Sequence, residues 1–257
     1  VSDNKTFYVP SYSYVFTYEF NSKTPKATQA FVAHDGNVTD LVISNSLLIT
    51  CGDDKKIKLW DKRASSCQTT INTKSANNAV LFYPEKNNQI ISGDESDYIS
   101  SYDLRTSSLL KSIKSDNLPV RAMASSPDNF HFIAAMQSGI TKCFKLENQN
   151  FDEVYKIIAH NDVQLNCAYS PNGKLVATCP ANNQARIWDA VTGDIKQNLV
   201  LGEKREWIWG ACFTPDSQSL CLGGTDGICR QFDVENGRIT MSFPQLDKII
   251  SAIAILS

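Results

Sequence analysis

The sequence predicts an all-β fold of repeated four-stranded sheets. Two sequence markers that recur with the same period support that prediction. An aromatic residue, usually followed by an acid, recurs at steps of 42, 42, 42, 44 and 44 residues, in Tyr18-Glu19, Trp60-Asp61, Tyr102-Asp103, Phe144-Lys145, Trp188-Asp189 and Phe232-Asp233. Prolines in turn-like tetrads recur at steps of 43, 44 and 44 residues, at Pro84, Pro127, Pro171 and Pro215. A period of about 40 to 45 residues with aromatic-acid pairs is typical of β-propeller blades.

Each repeat contains four strand-like runs. In the fifth, QLNCAYS, KLVATCP, QARIWDA and IKQNLVL are separated by PNG, ANN and VTG, which supply the Asn, Gly and Pro that chain reversals need. Helical periodicity is absent. One blade cannot bury both of its faces alone, so the repeats are expected to stack on one another.

The number of strands is compatible with two ways of closing the propeller ring. The chain opens on a run that aligns with a second strand and closes on ISAIAILS, which is typical of a first strand. We predict one propeller domain over residues 1–257, with roughly 24 strands, or six blades' worth. These strands either close as six blades or belong to a seven-bladed ring whose first repeat precedes Val1.

The composition of the chain limits the partners and the cellular compartment that we expect. The chain has 257 residues, 42% of them hydrophobic, and 25 Lys and Arg against 27 Asp and Glu, which argues against a nucleic-acid or anionic-membrane partner. No apolar run approaches the roughly 20 residues of a membrane span, and VSDNKTFYV lacks the features of a signal peptide. We therefore expect a cytoplasmic protein. Its eight cysteines form no C-x-x-C pair and are expected to be reduced.

No cluster of residues indicates catalysis. His34, His131 and His160 are the only histidines, and no His/Cys spacing suggests zinc. The run GTDG at 224–227 is too short for a phosphate loop. We expect no catalytic residue, metal, cofactor or small-molecule substrate. Alternating N-terminal aromatics could stack on nucleic acid, but they carry almost no Lys or Arg, so a first-blade strand pair explains them better.

The spacing of AH to WD resembles the WD-repeat family, at His34 to Trp60-Asp61 and at His160 to Trp188-Asp189. In that family a His, a turn Asp and the Trp of the third strand form a structural hydrogen-bond network. The resemblance assigns this network to His34, Asp54 and Trp60 in the second repeat. The fifth repeat departs from the pattern with Asn182, and the sixth keeps Asp226 without the His. These residues mark fold rather than activity.

A longer resemblance is carried by REWIWGACFTPDSQSLCLGGTDGICRQFDVENGRI, in which Trp-x-Trp heads a strand. This run is similar to the penultimate repeat of the GβL family, the small WD-repeat subunits of TOR kinase complexes. GNVTDLV, SANNAVLFYPEKNNQIISGDESDYISSYDLRT and AHNDVQLNCAYSPNGKLVATC resemble successive repeats of that family, and the similarity covers residues 7–257. The resemblance implies seven blades, with the first contributed by residues ahead of Val1. It also implies a non-catalytic scaffold in nutrient and growth signalling, which reaches endomembranes peripherally through its complex.

Two tryptophans mark the candidate partner surface. Residues i and i+2 of a strand point the same way, so Trp207, Trp209 and Ala211 are expected to share one face. Either both rings fill the space between blades, or Trp209 packs inside while Trp207 reaches the rim of the propeller. An exposed Trp would be a strong anchor for a protein partner.

The same strand-entrance position recurs eight residues before each turn proline. It holds residues of little polarity, at Ala76, Pro119, Val163 and Trp207, while spacing from the histidine places Asn37 there in the second repeat. The resemblance implies that this face holds the C-terminal lobe of the kinase domain, alongside other subunits of the complex. The resemblance assigns partner contacts to Asn37, Val163, Trp207 and Trp209, and more weakly to Gln164 and Lys204. The alternative is an adaptor of another assembly: a ribosome-associated or G-protein-β-like scaffold, or a reader of modified peptides.

Overall fold

The computed structural model describes residues 6–19, 27–44, 46–62, 66–83, 88–147 and 150–254. Every regular element in these ranges is a β-strand, and the strands are joined by turns. Among the described residues, no helix is long or apolar enough to cross a membrane.

The chain forms two compact units, and the first is built mainly from Val1–Val120. It contains three antiparallel sheets with meander order. The first sheet has three strands: β1 (Thr6–Ser11), β2 (Tyr14–Glu19) and β3 (Ala27–Val32). The second comprises β4 (Val38–Ile43), β5 (Leu47–Gly52), β6 (Lys56–Asp61) and β7 (Ser66–Asn72). The third comprises β8 (Asn77–Tyr83), β9 (Gln89–Asp94), β10 (Tyr98–Asp103) and β11 (Ser108–Lys114).

The second unit is built mainly from Arg121–Glu147 and Phe151–Ile255 and also has three sheets. The fourth sheet comprises β12 (Val120–Ser125), β13 (His131–Met136), β14 (Ile140–Glu147) and β15 (Asn150–Ile158). The fifth comprises β16 (Gln164–Tyr169), β17 (Leu175–Pro180), β18 (Gln184–Asp189) and β19 (Ile195–Val200). The sixth comprises β20 (Ile208–Phe213), β21 (Ser219–Gly224), β22 (Arg230–Asp233) and β23 (Ile239–Ser242).

Neighbouring sheets within each unit pack face to face through apolar side chains. In the first unit, Ile49, Ile57 and Leu59 of the second sheet pack with Val80 and Ile90 of the third. In the second unit, residues of the fifth sheet such as Ile187 and Leu199 join residues of the sixth, including Ile208, Leu222 and Phe232. Burial between sheets of equal size is what a stacked repeat requires, because one sheet has too little apolar surface to fold alone.

The predicted all-β class of repeated blades is confirmed by these blade-like sheets, five of which have four strands. The strand count differs from the prediction in one place. The described residues contain 23 strands, and Ser251–Ala254 of the predicted closing strand ISAIAILS form none, while 255–257 lie outside the described ranges. The turn expected at Pro84 also lies outside them. The single domain and the seventh blade remain predictions.

A β-bulge interrupts the start of four first strands. The pairing of β4, β8, β16 and β20 with the next strand shifts register after the first residue, at Val38/Asp40, Asn77/Ala79, Gln164/Asn166 and Ile208/Gly210. A bulge inserts one residue into a strand and breaks the alternation of faces. The interrupted residue in β20 is Trp209, so simple strand alternation does not hold through this entrance, and the shared face of Trp207, Trp209 and Ala211 stays a prediction.

Candidate protein-docking surface

The second repeat contains the complete hydrogen-bond network that the WD-repeat resemblance implied. His34 Nδ1 donates to Asp54 Oδ1 at 2.8 Å, and His34 Nε2 contacts Thr50 Oγ1 at 2.7 Å. Trp60 Nε1 donates to the same hydroxyl at 2.9 Å. Burial lowers the pKa of His34, an effect that Asp54 partly opposes. The imidazole therefore joins the strand, the turn and the connection between blades in its neutral form.

The fifth repeat contains the same network without its acid. His160 Nε2 contacts Thr178 Oγ1 at 2.8 Å, and Trp188 Nε1 donates to that oxygen at 2.9 Å. Burial, reinforced by the positive charge of Arg186, lowers the pKa of His160 to about 4. Asn182, at the position of the missing acid, donates from Nδ2 to Asp162 Oδ2 at 2.6 Å.

The acids of the two WD pairs make local hydrogen bonds, and Asp189 holds a turn. Asp189 Oδ1 accepts the backbone N–H groups of Val191 and Thr192, at 2.9 and 3.1 Å. Asp61 Oδ2 accepts from the Gln68 side chain at 3.4 Å. Carboxylates held by backbone donors stabilise turns, which agrees with a role in the fold.

The remaining repeats replace this network in different ways. In the sixth, Asp226 pairs with the Arg230 guanidinium, and its Oδ1 accepts the Ile228 N–H at 3.0 Å. In the fourth, three buried rings fill the space: Phe132 stacks on Phe144 at 4.9 Å between centroids, and both meet Phe151 edge-on. In the fourth repeat, apolar packing therefore takes the place of the hydrogen-bonded network.

Trp207 lies at the surface just before β20, with 44% of its area exposed. Its backbone is nevertheless fixed, because its N–H donates to Thr225 Oγ1 at 3.0 Å and its carbonyl accepts the Thr225 N–H at 3.1 Å. Glu206 accepts the Thr225 hydroxyl at 2.5 Å. An exposed indole on a fixed backbone is suited to contact another protein.

Trp209 is half-buried and supports the exposed ring. The two ring centroids lie 5.8 Å apart, with the planes tilted by 50°. The Trp209 carbonyl accepts the Asn166 side chain at 2.8 Å, and its Nε1 is buried without a hydrogen-bond partner in the described part of the chain. Trp209 therefore contributes one face of a paired aromatic surface.

The loop that carries Trp207 is tied to the fifth repeat. Arg205 Nη2 pairs with Asp162 Oδ1, next to half-buried Val163 at the equivalent strand entrance. Lys204 is exposed and occupies, by alignment, the position of the missing histidine of the sixth repeat. Val163, Lys204 and Trp207 thus lie on two adjacent connections of the same unit.

Gln164 is not a surface residue, and its assignment to the rim is wrong. Its side chain is fully buried, with Oε1 accepting the Thr141 hydroxyl at 2.8 Å. Asn37, in the first unit, is exposed and donates to Asp53 Oδ2 at 2.8 Å. The docking role of the exposed and half-buried candidates remains a prediction.

Sequence reasoning missed the threonines that complete these arrangements. Thr50 and Thr178 each lie ten residues before a repeat tryptophan, at Trp60 and Trp188, and this spacing was a readable signal. Thr225 carries no comparable signal, because its role depends on the conformation of the loop before β20. The described residues contain no group of three or more His, Cys, Asp or Glu suited to hold a metal ion.

These blade-like sheets and their His–Thr–Trp networks are features of WD repeats. The family description "WD domain, G-beta repeat" matches residues 25–61, 151–189 and 196–233, which overlap the first two sheets and the fourth to sixth.

Among proteins of that class, the chain is similar to subunits of target of rapamycin complexes. It is 26% identical over 259 residues to "Target of rapamycin complex subunit LST8" of Bos taurus, covering 95% of this chain and 79% of the relative. It is 27% identical over 193 residues to "Target of rapamycin complex subunit wat1" of Schizosaccharomyces pombe, covering 72% of this chain and 61% of the relative. The resemblance to this group is thereby confirmed, at modest identity.

Proposed function

We propose that this protein is a non-catalytic WD-repeat scaffold that binds and stabilises the kinase domain of a TOR-type kinase. The similarity over 95% of the chain to a named TOR-complex subunit supports this assignment. Binding to the other subunits of the complex follows from the same role, as does support of nutrient and growth signalling. We place the protein in the cytoplasm, and at endomembranes through its complex.

The geometry supports rigid docking through Trp207. The main observation in favour of this docking surface is that the Trp207 ring is exposed while its backbone is held by hydrogen bonds. Side chains that are fixed before binding lose less conformational freedom on association, so more of the contact energy appears as affinity. Large aromatic side chains also dominate the energy of protein interfaces.

The test is binding of a purified TOR-type kinase domain by Trp207→Ala. The truncation removes a surface anchor, so affinity should fall by about 30-fold or more, the effect of losing about 2 kcal/mol, while the melting temperature stays nearly unchanged. Phe130→Ala is the matched control, because Phe130 is also aromatic and 48% exposed but lies in the turn between β12 and β13. It should bind normally.

Two results would overturn the proposal. Unfolding of Trp207→Ala would show that the ring acts as core, since loss of a buried Trp costs about 3 to 5 kcal/mol. Co-purification of ribosomal subunits from native extract, without a large kinase, would favour an adaptor of another assembly.

A further inference from the structure

The departure of the fifth repeat from the WD pattern connects it to the loop of the sixth. Asn182 stands where the second repeat has Asp54, the acid that accepts the histidine N–H there. It faces Asp162 instead, donating from Nδ2 at 2.6 Å while its Oδ1 accepts the Gln184 N–H at 2.9 Å. The amide thus fixes one oxygen of Asp162.

The other oxygen of Asp162 receives the Arg205 guanidinium. Arg205 lies 43 residues further along, in the connection between β19 and β20 and two positions before Trp207. The sequence of contacts Asn182–Asp162–Arg205 therefore starts at the turn of one repeat and ends beside the exposed indole of the next.

We propose that Asn182 and Asp162 are positioning residues that hold the Arg205 loop and fix the orientation of Trp207. An amide is needed at position 182 because it donates to Asp162. An aspartate there would place two carboxylates at hydrogen-bonding distance, and their repulsion would release Asp162. The consequence for partner binding rests on the proposed function, but the ordering of the loop does not.

The exposure of the ion pair shows where its effect should appear. The Arg205 and Asp162 side chains are 67% and 31% exposed. Exposed ion pairs contribute little to global stability. The effect is expected in the order of the loop, and hence in affinity, with little change in melting temperature.

The experiment compares Arg205→Ala and Asn182→Asp with the parent chain, free of partner. Two readouts report on Trp207: hydrogen exchange of its amide, which donates to Thr225 Oγ1, and acrylamide quenching of its fluorescence, isolated by difference from Trp207→Phe. Trp60 and Trp188 are buried and should contribute little to quenching. In both variants the Trp207 amide should exchange faster, by about threefold or more, and the quenching of its ring should increase.

Three controls sharpen the result. Lys196→Ala breaks a pair of similar exposure in the same repeat, Lys196–Asp189, and should leave both readouts unchanged. Arg205→Lys keeps the charge and should recover part of the protection. High salt should loosen the parent loop toward the behaviour of Arg205→Ala, because salt screens exposed charges.

Affinity for the kinase domain is measured separately and should fall by about fivefold to tenfold in Arg205→Ala. Unchanged exchange and quenching in both Arg205→Ala and Asn182→Asp would overturn the positioning role. Failure of the parent chain to bind the kinase domain, with loosened loops in the variants, would overturn the proposed function and leave the positioning role supported.

Discussion

At the scale of single residues, one threonine hydroxyl connects two buried rings in each intact WD network. Thr50 Oγ1 lies 2.7 Å from His34 Nε2 and 2.9 Å from Trp60 Nε1. An indole nitrogen only donates, so the hydroxyl oxygen accepts from the tryptophan and can donate its own proton to the neutral imidazole. Removal of the hydroxyl leaves two buried polar atoms without a partner.

Thr178→Val should therefore destabilise the protein although it preserves the shape of the side chain. His160 Nε2 and Trp188 Nε1 would both lose their partner, and each buried unpaired group costs about 1 to 3 kcal/mol. Urea unfolding should show a lower midpoint. Thr178→Ser keeps the hydroxyl and should stay close to the parent; equal midpoints for the serine and valine variants would contradict the role of the hydroxyl.

Stability should also fall with acid because of His160. Its pKa is about 4 in the folded chain, below the ordinary value of 6.5, so the unfolded chain binds the proton more tightly. The contribution is fully present above pH 6.5 and is lost as the pH falls toward 4, amounting to about 3 kcal/mol over that window. Urea midpoints between pH 7 and 4 should fall less steeply in His160→Gln than in the parent, and parallel slopes would refute this.

At the scale of elements, the sequence predicted the repeats better than the position of each side chain. Aromatic-acid pairs and turn prolines recur because every blade needs the same turns and the same ring near the end of its third strand. The bulges have no such signature, because they depend on how two strands pair. The residue before each bulge is buried in all four cases, at Val38, Asn77, Gln164 and Ile208. Because the bulge in β16 could not be predicted from the sequence, Gln164 was wrongly predicted to lie at the rim.

The connection before β20 depends on a close approach that only glycine allows. A Cβ at Gly224 would lie 2.1 Å from the Trp207 carbonyl oxygen, which accepts the Thr225 N–H. Backbone atoms cannot yield as a flexible side chain does, so a methyl group there must displace the Trp207 strand entrance.

Gly224→Ala should lower stability by about 1 to 3 kcal/mol and increase the hydrogen exchange of the Trp207 amide. Gly202→Ala is the matched control, since a Cβ at Gly202 meets no atom within 4 Å. Urea unfolding and exchange of both variants give the comparison. If the two alanine variants behave alike, the close approach does not constrain this connection.

At the scale of the whole molecule, the charge balance bears on the class of partner. The chain carries a formal charge of −2, so no general field attracts polyanions. The N-terminal aromatics differ in exposure: Tyr12 and Tyr14 are 80% and 44% exposed, whereas others are covered. Tyr8 is 6% exposed, and Phe7 and Tyr18 stack on each other with centroids 6.3 Å apart. The absence of a nucleic-acid partner stays a prediction from composition, and the proposed partner rests on the detailed resemblance of individual repeats.

The protein should therefore pass through a heparin column unretained at about 0.15 M salt, where binding of polyanions depends on clustered Lys and Arg. Elution should not differ between the parent and Arg205→Ala, because the Arg205 guanidinium is already paired with Asp162. A basic protein of similar size on the same column verifies its capacity. Retention that weakens steeply with salt would reveal a local basic patch and revive nucleic acid as a partner, since counterion release produces that dependence.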